Sequence, residues 1–124
     1  MSWLSLIHAK LVADNVATGA CPCTIGYQPD SPDASIVLTY TGGAPQDTHG
    51  GENIPANFQL RVRGSRLDYQ FVEDTCRAAF NSLDNANITG FNLILADSAS
   101  PLIFTDGKER PIGSLNFRTV RANV

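Results

Sequence analysis

The chain reads as an α+β domain, with one mostly antiparallel sheet and two main helices packed against it. Three features predict this. Apolar residues recur at helical spacing in two separate stretches, Trp3 to Val12 and Tyr69 to Leu83. Apolar and polar residues alternate in SIVLTYT, from Ser35, and in FQLRVR, from Phe58. A Thr105-Asp106-Gly107 turn signal separates PLIF from GSLNFRTV near the end of the chain. At 124 residues the whole chain, 1–124, fits one domain that buries roughly two thirds of its unfolded surface.

Taken in order, the elements are justified as follows. Ser2 is suited to cap a helix in which Trp3, Leu4, Ile7, Leu11 and Val12 form one face through Asn15, with Gly19 ending it. A short strand is expected from Thr24 to Tyr27, then a tight turn in PDSPDA, where two prolines and two aspartates fall together. Ile36, Leu38 and Tyr40 alternate with Val37, Thr39 and Thr41 in a strand expected to be covered on both of its faces. In the next strand Phe58, Leu60 and Val62 point one way and Gln59, Arg61 and Arg63 the other. A second helix is expected from a Ser65 cap to Leu83, with Asp68 in its first turn and Tyr69, Val72, Cys76, Ala79, Phe80 and Leu83 facing the core. After the polar break DNANITG, Phe91 to Ala96 reads as a strand, and the final hairpin closes the domain.

The most informative feature for function lies between the two alternating strands. GGAPQDTHGGENIPA, residues 42–56, is far longer than the roughly two to five residues that usually close a strand pair. This long arm carries no nucleophile, no paired carboxylates and no clustered ligands, so it predicts contact rather than catalysis. Gly43, Pro45, Gln46, His49 and Glu52 are its candidate contact residues. On the strands, Arg61, Arg63, Arg118 and Arg121 fall at positions that suggest a basic stripe on the face away from the helix. Three uses are open to such a stripe: pairing with acids of a neighbouring copy, contact with passing DNA, or solvation.

Charge supports association and argues against a nucleic-acid binder. The formal charge is -3; residues 1–56 carry one base against five acids, a net of -4, and residues 57–124 carry eight bases against seven acids, a net of +1. Tight nucleic-acid binding needs several bases neutralising phosphates together, whereas two halves of opposite sign suit head-to-tail pairing between copies. Seven of the nine bases are arginine, whose planar fork favours directed interface pairs. No secretory signal is read at the start of the chain, and no stretch approaches the roughly twenty apolar residues of a membrane span, so a cytosol-like setting is expected.

Chemistry is sparse. Cys21, Cys23 and Cys76 are an odd set suited to reduced, buried thiols. Cys21-Pro22-Cys23 has one residue too few between its thiols for a redox pair, and only His8 and His49 are at hand to complete a zinc site. His49 has no nucleophile or orienting acid beside it in sequence. Neither glycine pair has phosphate-loop spacing, and Asn87-Ile88-Thr89 is a glycosylation triplet without a secretory route. No cofactor, no metal and no enzymatic activity are expected. A thiol-dependent enzyme or ligand-binding domain using Cys23 or His49 is the remote alternative.

The order of features resembles a known family. An N-terminal helix, Pro29-x-x-Pro32-Asp33 with Ile36-x-Leu38 and Gly42-Gly43 after it, then Pro55 and Phe58-Gln59-Leu60-Arg61-Val62-Arg63 are similar to the phage minor capsid proteins that act as tail terminators. Asp106-Gly107-Lys108-Glu109-Arg110-Pro111-Ile112 leading into Asn116-Phe117-Arg118 resembles that family's closing hairpin. The CPC segment and the HGGEN part of the arm have no counterpart in the resemblance. It implies a non-enzymatic virion protein of the tail or neck, assembled in the host cytoplasm. It would form a ring, six-fold in relatives, on the head-proximal end of the tail tube, stopping polymerisation and offering a surface to head and neck connector proteins. Its implied partners are copies of itself, the tail-tube protein and a connector, with DNA passing through the ring and no membrane. A head-completion or connector adaptor of the neck is the closest alternative. Arg61, Arg63 and Arg118 join the arm residues as the implied subunit or tube contacts.

Overall fold

The computed structural model describes residues 3–42 and 53–122. Two helices and six strands follow one another as α1 (Leu4–Ala13), β1 (Cys23–Ile25), β2 (Ser35–Gly42), β3 (Asn53–Arg63), α2 (Tyr69–Leu83), β4 (Phe91–Ala96), β5 (Leu102–Thr105) and β6 (Pro111–Ala122). The sheet order is β1-β2-β3-β6-β4, and β5 pairs with β6. Only the β1–β2 pair is parallel; all others are antiparallel. The α+β class and the mostly antiparallel sheet are therefore as expected.

The two longest strands organise the rest. β3 and β6 pair without interruption from Asn53↔Ala122 to Arg63↔Ile112. On the far side of β6, β5 occupies its first half and β4 its second, end to end. The expected final hairpin is present as β5 and β6, joined by Asp106–Arg110.

Alternation along these strands sends Ile36, Leu38, Phe58, Leu60, Val62, Leu115 and Phe117 into a core against the helices. Phe58 and Phe117 lie opposite each other with ring centroids 4.9 Å apart and planes 9° from parallel. From α1 come Leu4, Ile7 and Leu11, and from α2 come Val72, Cys76, Ala79 and Leu83, all fully buried. The side chain of α2 nearest the sheet fits only because Gly113 has none. A Cβ there would stand 2.7 Å from both Cys76 Sγ and Val72 Cγ1.

Several local expectations are corrected. α1 ends at Ala13, and Asn15, with φ 60°, makes the left-handed turn that Gly19 was expected to supply. The expected cap Ser2 lies outside the described residues, and Trp3 holds the cap position without a side-chain bond. β1 starts one residue earlier and ends two residues earlier than the expected Thr24 to Tyr27, because Gly26 at φ 87° ends it. Asp68, not Ser65, caps α2, accepting a hydrogen bond from the Phe71 amide at 3.2 Å. Ser65 is instead spent in the preceding turn, where its carbonyl accepts from Asp68 N–H. Tyr69, placed on the core stripe by spacing, is exposed at the first position of α2, where it lines an open cleft with Ile103 of β5. β2 is covered on both faces only from Ser35 to Leu38.

The arm is also bounded differently. Its last residues, Asn53 to Ala56, belong to β3 because β6 is long enough to pair with them. β2 reaches only Asn57, so Pro55 sits where β3 has no β2 partner and its missing N–H costs no sheet bond.

Candidate functional site

The strands run between two unlike ends. At one, β3 finishes, β6 begins and the turn after Pro29 folds over both. At the other, β2 finishes, β3 begins and β6 finishes.

The first end is built around two buried arginines. Arg63 is only 4% exposed. Its Nε donates to the Asp33 carbonyl at 2.8 Å, and its Nη2 donates to the carbonyls of Pro32, at 3.0 Å, and Pro29. Burial, with the neighbouring Arg110 cation, pushes the Arg63 pKa below its ordinary value. Arg110, 7% exposed, meets three carboxylates: Nε to Asp106 at 2.7 Å, Nη2 to Asp30 at 3.1 Å and Nη1 to Asp33 at 3.2 Å. Nη1 also donates to the Asp30 carbonyl, and Lys108 Nζ reaches Asp30 at 2.8 Å. Hydrogen bonds from Lys108 and then Arg110 hold Asp30 below the usual carboxylate range. The Arg110 backbone N–H is the main cause of the same shift in Asp106. The network ties the 29–33 turn to the β5–β6 turn, which are some 80 residues apart in sequence.

The second end is aromatic. Trp3 meets Tyr40, Phe58 and Phe91 edge-on at centroid distances of 5.2, 5.9 and 5.8 Å. The Arg121 guanidinium lies 5.6 Å over the Trp3 ring. Among these, Tyr40 is 54% exposed, which makes the end of the sheet beside residues 43–52 partly apolar.

The expected basic stripe is divided. Arg121 shares the helix side with Phe117 and Thr119, whereas Arg61, Arg63 and Arg118 lie on the opposite side. Arg118 pairs with Asp97 at 2.7 Å and is exposed. Arg63 is committed within the chain as described. Arg61 makes no ion pair among the described residues; it lies 5.2 Å over the Phe104 ring, and its buried Nε has no hydrogen-bond partner. Gly43, Pro45, Gln46, His49 and Glu52 lie outside the described residues.

Sequence reasoning missed the Arg110 network altogether. Asp30 and Asp33 beside prolines, and a lone arginine before Pro111, were the only local signals, and neither indicates the other.

The thiols do not assemble a reactive site. Burial pushes Cys21 up to about 11 and Cys23 and Cys76 up to about 12, so all three stay protonated near neutrality. His8 Nε2 lies 3.1 Å from the Cys23 carbonyl oxygen rather than beside a sulfur. Among the described residues no group of three or more His, Cys, Asp or Glu side chains is arranged to hold a metal ion. No described helix is long and apolar enough to cross a membrane.

What this geometry offers is a scaffold with two differently constructed ends and a β5 strand, LIFT, without charged side chains. The fold matches a chain in the virion of a native gene transfer agent particle with a TM-score of 0.72 at 13% sequence identity, covering 98% of this chain and 96% of that one. No curated protein matches the chain in sequence. Residues 5–123 match the family described as bacteriophage tail terminator protein, which leaves almost nothing of the chain outside the match. The chain belongs to the bacteriophage tail terminator family.

Proposed function

We propose that this protein is a structural component of a virion that forms a ring on the head-proximal end of the tail tube. There it stops tube growth and presents a surface to the connector proteins of the neck. The family match over residues 5–123 carries this reading. The architecture of the fold's neighbour, a chain of a virion particle, is in keeping with it.

The physical support is the inequality of the two sheet edges. β1 is three residues long, and its Cys23 carbonyl is occupied by His8. On the other side β5 has no charged residue in LIFT, while the outward groups of β4 are taken: Ala96 N–H donates to the Asp84 carboxylate and the Ile94 carbonyl accepts from Asn85 N–H. Two unlike sides favour head-to-tail contact, which closes into a ring when the rotation per subunit divides the circle; six subunits is the number proposed. The arm, with Gly43, Pro45, Gln46, His49 and Glu52, contacts a neighbour or the tube, and Arg61 and Arg118 contribute at the subunit boundary. DNA passes through the ring without sequence-specific contact. Assembly takes place in the host cytoplasm, and no catalytic turnover is involved.

Light scattering of the purified protein, alone and with tail-tube protein, tests the reading. A mass of six subunits, at least in the presence of tubes, is expected. A monomer under both conditions would defeat it. Co-purification with isolated tails rather than isolated heads is expected as well; recovery with heads alone would assign the protein to head completion instead.

A further inference from the structure

We infer that the exposed edge of β5, together with Arg61, is the receptor for the acidic segment Gln46–His49 of a neighbouring copy. This rests on the ring reading and names the two surfaces that meet.

The receptor side is defined by three independent features. Among the described residues no strand lies on the far side of β5. Because the Pro111 carbonyl is taken by Gly64 N–H, Ile112 turns toward Phe104, and Ile103 and Thr105 turn their N–H and C=O groups outward. Leu102 is 72% exposed and Phe104 38%, and the LIFT edge lacks the charge or interior proline that usually blunts such strands. Beside Phe104 stands Arg61, a cation with no ion pair among the described residues and with a buried, unpartnered Nε. On the helix side a cleft of about 260 Å3 opens between β5 and α2, lined in part by Tyr69, Glu73, Arg77 and Ile103. An edge strand with a groove against a helix is the arrangement that accepts an added extended segment.

Charge and length select the occupant. Gln46-Asp47-Thr48-His49 is a four-residue run free of glycine and proline, equal in length to β5, and it carries a carboxylate to meet Arg61. The same chain cannot supply it. Gly42 lies level with Arg118, Asn53 with Ala122 and Leu102 with Ser114. At about 3.4 Å per residue and 4.8 Å per strand, Leu102 is roughly 20 Å from Gly42 and 29 Å from Asn53. The peptide steps between Gly42 and Asn53 extend to at most about 40 Å, against the roughly 49 Å needed. The contact is therefore between copies, and it joins two different parts of the surface, as a closing ring requires.

Cysteine crosslinking of the full chain tests it. The Thr48→Cys, Leu102→Cys protein, oxidised in solution with tail tubes, is expected to give a ladder of multimers on a non-reducing gel. The control pair Thr48→Cys, Leu67→Cys, with Leu67 at 67% exposure close to the 72% of Leu102, should give roughly tenfold less, because only docking raises the local concentration of the two thiols. Adding Arg61→Glu, or Thr105→Pro to remove an outward N–H, should bring the first yield down to the control. Equal yields from the two pairs, or a yield indifferent to both added substitutions, would overturn the docking. Light scattering of the wild type on the same tubes separates this from the ring itself: a ring of normal mass with equal yields defeats only the docking, while a crosslink without any ring defeats the reading it rests on.

Discussion

The two ends of the sheet are held by different physics. The Arg63–Arg110 end is polar: carbonyls and carboxylates of one turn are drawn onto two nearly buried guanidiniums. The Trp3 end is apolar: three aromatic rings meet a fourth, with Arg121 laid over it. Directed hydrogen bonds fix a turn in one orientation, whereas ring contacts tolerate small shifts of their partners. The difference teaches where each kind of surface belongs in a protein that assembles. The polar end has spent its charges internally and acts as an anchor for the fold; the aromatic end keeps Tyr40 exposed next to residues 43–52.

The sharpest way to break this contrast is at Arg63. Replacement by alanine removes three hydrogen bonds and leaves their carbonyls beneath the 29–33 turn, so we expect a loss of about 3 kcal/mol in urea unfolding. An unchanged midpoint would show that the polar end is decoration. Trp3→Ala at the other end is expected to cost less, about 2 kcal/mol, because Trp3 is only partly buried and its neighbours can close in. A larger loss than that of Arg63→Ala would reverse the assignment of anchor and contact surface.

Acid should separate the ends further. Asp30 and Asp106 titrate below their ordinary values in the folded chain, so on lowering the pH the unfolded chain takes up protons first. The stability they contribute is whole at neutral pH and is lost as the pH falls through about 4 and below, toward their folded values. Arg110→Ala should flatten that part of the stability profile while Trp3→Ala leaves its shape alone; parallel profiles for wild type and Arg110→Ala would refute the coupling. The smallest effect on stability is expected from replacing residues 44–51 by a two-residue turn, within about 1 kcal/mol of wild type since both flanking strands pair independently of them. The same change should abolish ring formation on tail tubes, and unimpaired assembly would remove the arm from the proposed interface.

How much of this was legible in the sequence depends on the range of the interactions involved. Phe58, Leu60 and Val62 were assigned to the core from alternation alone, and all three are fully buried. The stripe of Val72, Cys76, Ala79 and Leu83 likewise followed from helical spacing. Tyr69 did not, because periodicity marks a face of a helix without marking how far along the helix burial extends. The arginines show the limit most clearly. Spacing reads Arg61, Arg63, Arg118 and Arg121 as one basic stripe away from the helix, yet Arg121 lies on the helix side over Trp3, Arg61 is stacked on Phe104, Arg63 is buried under a turn and Arg118 pairs with Asp97.

The sequence by itself determined the two helices and the strand alternation, which depend on residues close together along the chain, and their order gave the α+β class and the resemblance to tail terminators. Only the tertiary structure decided which charges are spent and which remain available. Arg110 meets Asp30 and Asp33 across some 80 residues of chain, Gly113 is needed because Cys76 and Val72 press on it, and β5 is an open edge because no described strand pairs with its far side. The physical reason is common to all three: a side chain's partners are set by the sheet's register and the helix's seat on it, and neither is encoded in any local stretch of residues.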